Sequence, residues 1–238
     1  MVYMGSKNRI SKELVPIITK DLKSSQWYVE PFVGGCNMMD KIDHPYRLGA
    51  DSNKYLIALL QAIQKGQKLP EYVTKEEYQV VKSNKDNYPD WYIGYVGFIC
   101  SFRGKYFGGF AGEYTELKTG KQRNYQKQMS NNILKQYENI KNVVLHNVEY
   151  NDLIIPENSV IYCDPPYANT TKYSDKFDSN DFWQWCRGKI NEKHKMYISE
   201  YNAPDDFVCI WSKDINSNLG GTSKKATEKL FMHKSQLN

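Results

Sequence analysis

Ser159-Val160-Ile161-Tyr162-Cys163-Asp164-Pro165-Pro166-Tyr167 is an apolar run that stops on a carboxylate, two prolines and an aromatic ring. A short continuous apolar run reads as a strand buried on both faces, the kind found in parallel sheets. The prolines end it, because they bring no N–H to a sheet ladder. Open α/β sheets hold their ligands at the carboxyl ends of such strands. Asp-Pro-Pro-Tyr arises by chance in roughly one or two chains per thousand of this size, taking each residue type at ~5% usage. It therefore reads as chemistry rather than as a simple turn.

The flanking sequence supports a sheet. Upstream, Trp27-Tyr28-Val29-Glu30 predicts a short strand, Pro31-Phe32-Val33-Gly34-Gly35 a turn, and Asn37 to Ile42 a helix. Arg47-Leu48-Gly49-Ala50 predicts a second strand ending at Asp51, and Asn53 to Lys65 a helix with Leu56, Leu59, Leu60 and Ile63 on one side. Strand, turn, helix, strand, helix is the opening of a parallel α/β sheet. Ile10, Leu14, Ile17 and Ile18 predict a helix over Lys7 to Leu22, with Pro16 at a late first turn or a kink. Tyr125 to Ile140 predicts another helix, and Val143 to His146, Lys195 to Ser199 and Phe207 to Trp211 predict strands. Residues 66–128 break this rhythm and carry a Gly-, aromatic- and Arg/Lys-rich loop, Phe102 to Phe110. The expected organisation is a sheet domain, 1–65 and 129–238, interrupted by a mostly helical insert, 66–128.

Composition bounds the function. The 238 residues are 40% hydrophobic and include 19 Tyr, which excludes a disordered chain, a collagen-like fibre or a coiled coil. No run of about 18 apolar residues predicts a membrane span, and the residues after Met1 have no apolar core of a secretion signal, so a cytoplasmic protein without a membrane partner is expected. Cys36, Cys100, Cys163, Cys186 and Cys209 form no Cys-x-x-Cys, and His44, His146, His194 and His233 are scattered, so no metal is expected. Lys and Arg number 32 against 27 Asp and Glu. Six of the basic residues, among them Arg103, Lys105 and Arg123, fall between Ser101 and Gln128 beside two acidic ones. That cluster fits a nucleic-acid footprint or a solvated face.

The motif suits chemistry at an exocyclic amine. Such a nitrogen is a poor nucleophile because its lone pair is delocalised into the ring. Two acceptors aimed at its N–H groups, the Asp164 carboxylate and the Pro165 carbonyl, favour a pyramidal and more nucleophilic nitrogen. Tyr167 offers a face on which a base can stack. Gly34 and Gly35 let a ligand approach the backbone, and Asp51, 17 residues beyond Gly34, stands where dinucleotide folds place the acid that holds ribose hydroxyls. The intact Gly-x-Gly-x-x-Gly fingerprint is absent, which argues against a nicotinamide enzyme.

In order along nearly the whole chain, Tyr3-Met4-Gly5-Ser6-Lys7, Glu30 to Gly35, Ala50-Asp51-Ser52-Asn53, Asp164 to Tyr167, and Ser217 to Gly221 with Lys224-Lys225 and Glu228-Lys229-Leu230 resemble the motifs of the Dam-type DNA adenine-N6 methyltransferases. The resemblance implies a Rossmann-like class I methyltransferase sheet with helices on both faces and an inserted DNA-recognition subdomain. It implies S-adenosyl-L-methionine as cofactor, held by Tyr3, Lys7, Pro31, Phe32, Gly34, Asp51 and Asp164. Catalysis falls to Asp164, Pro165, Pro166 and Tyr167, and contact with double-stranded DNA to Arg103, Lys105, Tyr106 and Arg123, by a monomer or weak dimer in a bacterial or phage-infected cell. Ser6 replaces the family's second glycine, and Cys36 stands where many members have Gly. Tyr106, Phe107 and Phe110 read either as wedges into the base stack or as local core, and Ala168 to Ser174 as a flap or a solvated loop. Three alternatives remain at this level: an RNA adenine methyltransferase, a DNA cytosine-N4 methyltransferase, and an inactive nucleic-acid-binding homologue.

Overall fold

The computed structural model describes residues 1–166, 177–217 and 224–237. Seven strands form one sheet in the order β5-β2-β1-β6-β7-β9-β8. They are β1 (Tyr28–Glu30), β2 (Arg47–Asp51), β5 (Val144–Asn147), β6 (Val160–Cys163), β7 (Lys195–Ser199), β8 (Phe207–Ser217) and β9 (Lys224–His233). The first five are parallel, and β9 runs antiparallel to both β7 and β8.

Both faces are covered, which is why β6 is apolar at every position. Tyr28, Leu145, Val160, Tyr162, Tyr197, Leu230 and Met232 point to one side, into a core shared with α1 (Ser11–Thr19), α2 (Lys54–Gln64) and α5 (Tyr125–Ile140). Val29, Leu48, Ala50, Ile161, Met196, Ile198 and Phe231 point to the other, against Phe182, Trp183 and Cys186 of α6 (Ser179–Asn191). The alternation within each strand is the period of two expected of a pleated sheet. No helix among the described residues is long and apolar enough to cross a membrane.

Three expectations change. Asn37 to Ile42 forms only a single 3₁₀ turn at Met39–Lys41; Cys36, at φ 56, has already bent the chain. The helix expected from Lys7 starts with a 3₁₀ turn, Lys7–Arg9, before α1. The last predicted strand continues six residues past Trp211 as β8, paired with β9, which the sequence reading did not find.

The segment 66–128 holds α3 (Lys75–Ser83), α4 (Asp90–Gly94) continued by a π-turn at Tyr95–Ile99, and a hairpin of β3 (Glu113–Thr115) and β4 (Gln122–Asn124); it ends inside the first turn of α5. Val73, Tyr78, Val81, Ile93, Tyr95, Phe98 and Ile99 join the same core as Leu56, Leu59 and Leu60 of α2. A Cβ on Gly94 would lie 2.1 Å from the Tyr55 carbonyl oxygen, so glycine is what lets α4 lie against α2.

Candidate active site

β1 and β6 lie side by side, with Tyr28 opposite Val160 and Val29 opposite Ile161. The sheet proceeds from β1 through β2 to β5 on one side and from β6 to β7 on the other, so strand order reverses between β1 and β6. A crevice opens at such a switch point. Glu30 ends β1 there, and Asp164 follows β6.

Lys7 reaches this crevice from the amino-terminal turn. The Ser6 hydroxyl accepts the Asn8 N–H at 3.2 Å and caps that turn, which turns Lys7 inward. Lys7 is 6% exposed, and its Nζ lies 2.8 Å from Asp164 Oδ1 and 3.6 Å from Glu228 Oε2. Burial alone would lower the pKa of the Lys7 ammonium. The charges of Asp164 and Glu228 outweigh it and raise that pKa above its usual value. Asp164 keeps 22% of its side chain open, so it can meet a ligand. Glu30 is buried and accepts the Tyr28 hydroxyl at 2.8 Å. Burial raises its carboxyl well above the usual range and the nearby Asp164 charge adds to this, with the bond from Tyr28 opposing.

Asp51 ties the neighbouring strand end to the glycine loop. Its Oδ2 accepts the Gly34 N–H at 3.2 Å and its Oδ1 the Asn53 N–H at 2.9 Å. Burial pushes its carboxyl up to about 6, against the pull of those two bonds. Gly34 sits at φ +49, and a Cβ there would lie 2.9 Å from the Tyr3 ring, so the loop and the Tyr3 motif pack face to face. Phe32 stacks on Tyr150 with centroids 5.1 Å apart, and Asn147 donates to the Asp51 and Ser52 carbonyls at 2.9 and 3.1 Å. Pro165 is buried and Pro166 exposed; Tyr167, the segment to Ser174 and residues 218–221 lie outside the described residues.

The basic loop is a separate surface beside the amino-terminal motif. A Cβ on Gly104 would lie 2.2 Å from the Val2 carbonyl oxygen. Arg103, at φ 56, donates its N–H to the Tyr125 hydroxyl at 3.0 Å, and its guanidinium lies 5.3 Å from the Phe102 ring. Arg103 and Lys105 are exposed. Tyr106 stacks on Tyr55 at 5.9 Å and meets Phe98 in a tilted contact at 5.0 Å, and Phe107 is buried, so both rings support the loop from beneath. The aromatic at the surface is Phe102, 57% exposed. Arg123 lies on β4, where its guanidinium pairs with Glu116 at 3.3 Å in the open.

A family model described as D12 class N6 adenine-specific DNA methyltransferase matches residues 3–203. The chain belongs to that family. The type II methyltransferase M.FokI of Planomicrobium okeanokoites is 22% identical over 249 residues, covering 90% of this chain and 38% of that relative. The chain therefore spans well under half of that protein's length. The solved structure of SMU.472 complexed with SAH matches over 98% of this chain and 54% of its own, at 10% identity and a TM-score of 0.36; a likeness that loose carries no argument.

Within this D12-class chain, sequence reading named Lys7, Asp51 and Asp164 for the cofactor pocket, and the structure sets Lys7 against Asp164 and brings the buried Glu30 to the same strand ends. Sequence reading did not place Glu228, Asn147, Tyr150, Phe102 or the hairpin tip Leu117 among site residues. Glu228 had a signal: it occupies an inward position of Ala226-Thr227-Glu228-Lys229-Leu230-Phe231-Met232, where alternation calls for an apolar side chain. Leu117 had one too, as an apolar residue between Glu116 and Lys118 in a turn; it is fully exposed. Asn147 and Tyr150 had none, since each merely follows or ends a strand.

Proposed function

We propose that this chain transfers the methyl group of S-adenosylmethionine to the N6 amine of an adenine extruded from duplex DNA. The observation that carries the reading is Asp164 at the switch point, paired at 2.8 Å with Lys7 of the amino-terminal motif and still partly open. When bound, S-adenosylmethionine supplies a methyl group on a sulfonium sulfur: the amine lone pair makes the new N–C bond, the C–S pair stays on sulfur, and the nitrogen sheds a proton. The residues present fit such a group. Asp51 spends two acceptor positions on backbone N–H groups and has others for ribose hydroxyls. Phe32 and Tyr150 give a flat face beside it.

Asp164 and the Pro165 carbonyl accept from the two N–H groups of the target amine and orient its lone pair; Pro166 stiffens the turn and Tyr167 stacks on the base. Tyr3 and Gly34 shape the pocket wall, and Pro31 aims Phe32 into it. Extruding the base costs a few kcal/mol. Segment 66–128 is the DNA-reading insert, within a catalytic frame of residues 1–65 and 129–238. Arg103, Lys105 and Arg123 meet phosphates or base edges, with Tyr106 holding their loop. The exposed Phe102 and Leu117 are better placed than the packed rings to enter a groove.

The test is methyl transfer from labelled S-adenosylmethionine to unmethylated duplex DNA, single-stranded DNA and RNA, with nucleoside analysis. N6-methyladenine in duplex DNA is expected. Label in RNA or on cytosine N4 replaces the substrate, and no transfer without cofactor binding replaces the class.

A further inference from the structure

The basic loop turns through the left-handed region at two residues that carry a Cβ, Arg103 at φ 56 and Phe107 at φ 45. A Cβ makes that region costly, and arginine lacks the short polar group by which Asn or Asp bonds its own backbone there. Strain of this kind gathers at ligand clamps and persists only where neighbours over-determine it. Phe107 is held through its N–H on the Gly97 carbonyl at 2.8 Å, and the following turn through the Gly109 N–H on the Tyr78 hydroxyl at 3.2 Å. Arg103 is held by Tyr125, whose phenol oxygen accepts its N–H at 3.0 Å.

Tyr125 stands where three pieces of the chain meet. Its own N–H donates to the Gly112 carbonyl at 3.1 Å, beside the Glu113 and Asn124 pair that closes the β3–β4 hairpin. It opens α5, and its ring packs against the large core. Its hydroxyl reaches across to the Arg103–Gly104 turn, and Gly104 lies against the Val2 carbonyl of the amino-terminal segment. Burial raises the Tyr125 phenol, with the Arg103 and Gly104 N–H groups opposing. Packing alone asks only for the ring, which phenylalanine would supply. We infer that Tyr125 is a positioning residue for DNA binding: its hydroxyl holds the Arg103–Gly104 turn in its left-handed form, and that turn aims the exposed Arg103 side chain in register with the hairpin. The inference rests on the reading of Arg103 as a DNA contact above.

Binding of a fluorescein-labelled random-sequence duplex, followed by anisotropy across a range of salt, tests this in Tyr125→Phe, Arg103→Ala and the double variant. Tyr125→Phe keeps the ring and removes only the oxygen. Its affinity for the duplex is expected to fall about fivefold, with a slope of log affinity against log salt shallower by about one, as in Arg103→Ala. The double variant is expected to match Arg103→Ala, because the hydroxyl acts through that side chain. Wild-type protein gives a second reading that needs no variant to fold: the Arg103 amide is expected to exchange with solvent deuterium about tenfold or more slower than in a free peptide. An amide exchanging at the free-peptide rate overturns the inference. So does a wild-type salt slope in Tyr125→Phe, even with a lowered melting temperature, since that is what a purely structural hydroxyl would give. Independent, multiplying losses in the double variant overturn it as well. An unchanged slope in Arg103→Ala overturns the inference and leaves the methyl-transfer reading standing. Wild-type protein that neither binds the duplex nor transfers methyl to DNA overturns both.

Discussion

Lys7, Asp164 and Glu228 respond differently to removal because one cation serves two anions. Asp164→Ala leaves Lys7 with Glu228, so the fold is expected to persist with a melting temperature close to that of wild type, while kcat falls about a hundredfold or more. Lys7→Ala removes the cation that both carboxylates meet and is expected to cost about 3 kcal/mol, read as a lower denaturant midpoint at unchanged slope. Equal destabilisation by the two variants would contradict the geometry. Asp51 makes a pH prediction. Its folded pKa of about 6 exceeds the unfolded value of 3.8, so the folded chain keeps a proton that the unfolded chain has lost between those values. The stability this proton contributes is present below about pH 4 and is lost as pH rises through 6. Cofactor binding runs the other way, because ribose hydroxyls need the ionised carboxylate. The Kd for S-adenosylmethionine is expected to rise about tenfold between pH 7.5 and pH 5. Asp51→Asn should bind weakly with a flat profile, and a profile unchanged in that variant would place the titration elsewhere.

At the scale of elements, the β3–β4 hairpin is the unusual piece. Its strand residues are exposed apart from Asn124, and a two-stranded ribbon without an apolar face is marginal by itself. It is tethered at its base, where the Tyr125 N–H, opening α5, meets the Gly112 carbonyl at 3.1 Å. Replacing residues 116–121 by Asn-Gly removes Leu117, Lys118 and Lys121 without touching the core. It is expected to leave folding and cofactor affinity intact and to weaken DNA binding. Arg103→Ala and Arg123→Ala should each reduce the slope of log affinity against log salt by about one. An unchanged slope would exclude that residue from the phosphate footprint. The same hairpin shows where local pattern gives out. α5 begins and ends where its apolar spacing says, because Ile133 and Ile140 face the core at helical period. β3 and β4 bury nothing and so have no period to read.

Across the whole molecule, residues 66–128 share the core on one face of the sheet. Gly94 packs on the Tyr55 backbone, and Tyr95, Phe98 and Ile99 enter the cluster that contains Leu56 and Leu60. Gly94→Ala must push α4 off α2, at about 1–3 kcal/mol. Unfolding of both variant and wild type is expected as one transition, with fluorescence of Trp91, read with the other four tryptophans replaced by Phe, and far-ultraviolet circular dichroism coinciding. Two separated transitions would show that the insert folds on its own.

Sequence alone determined the parallel frame, because it is local. A buried strand is a run of apolar residues, and Glu30, Asp51 and Asp164 each stand at the end of one. Lys7 could be named by motif but its partner could not, since an ion pair spanning 157 positions is made by folding. Tertiary structure alone brought Glu228 to Lys7, put Phe102 at the surface and Tyr106 beneath it, and merged the insert into the sheet's core. Those outcomes depend on which faces meet, and the face that a side chain meets is set by distant residues, which no local period records.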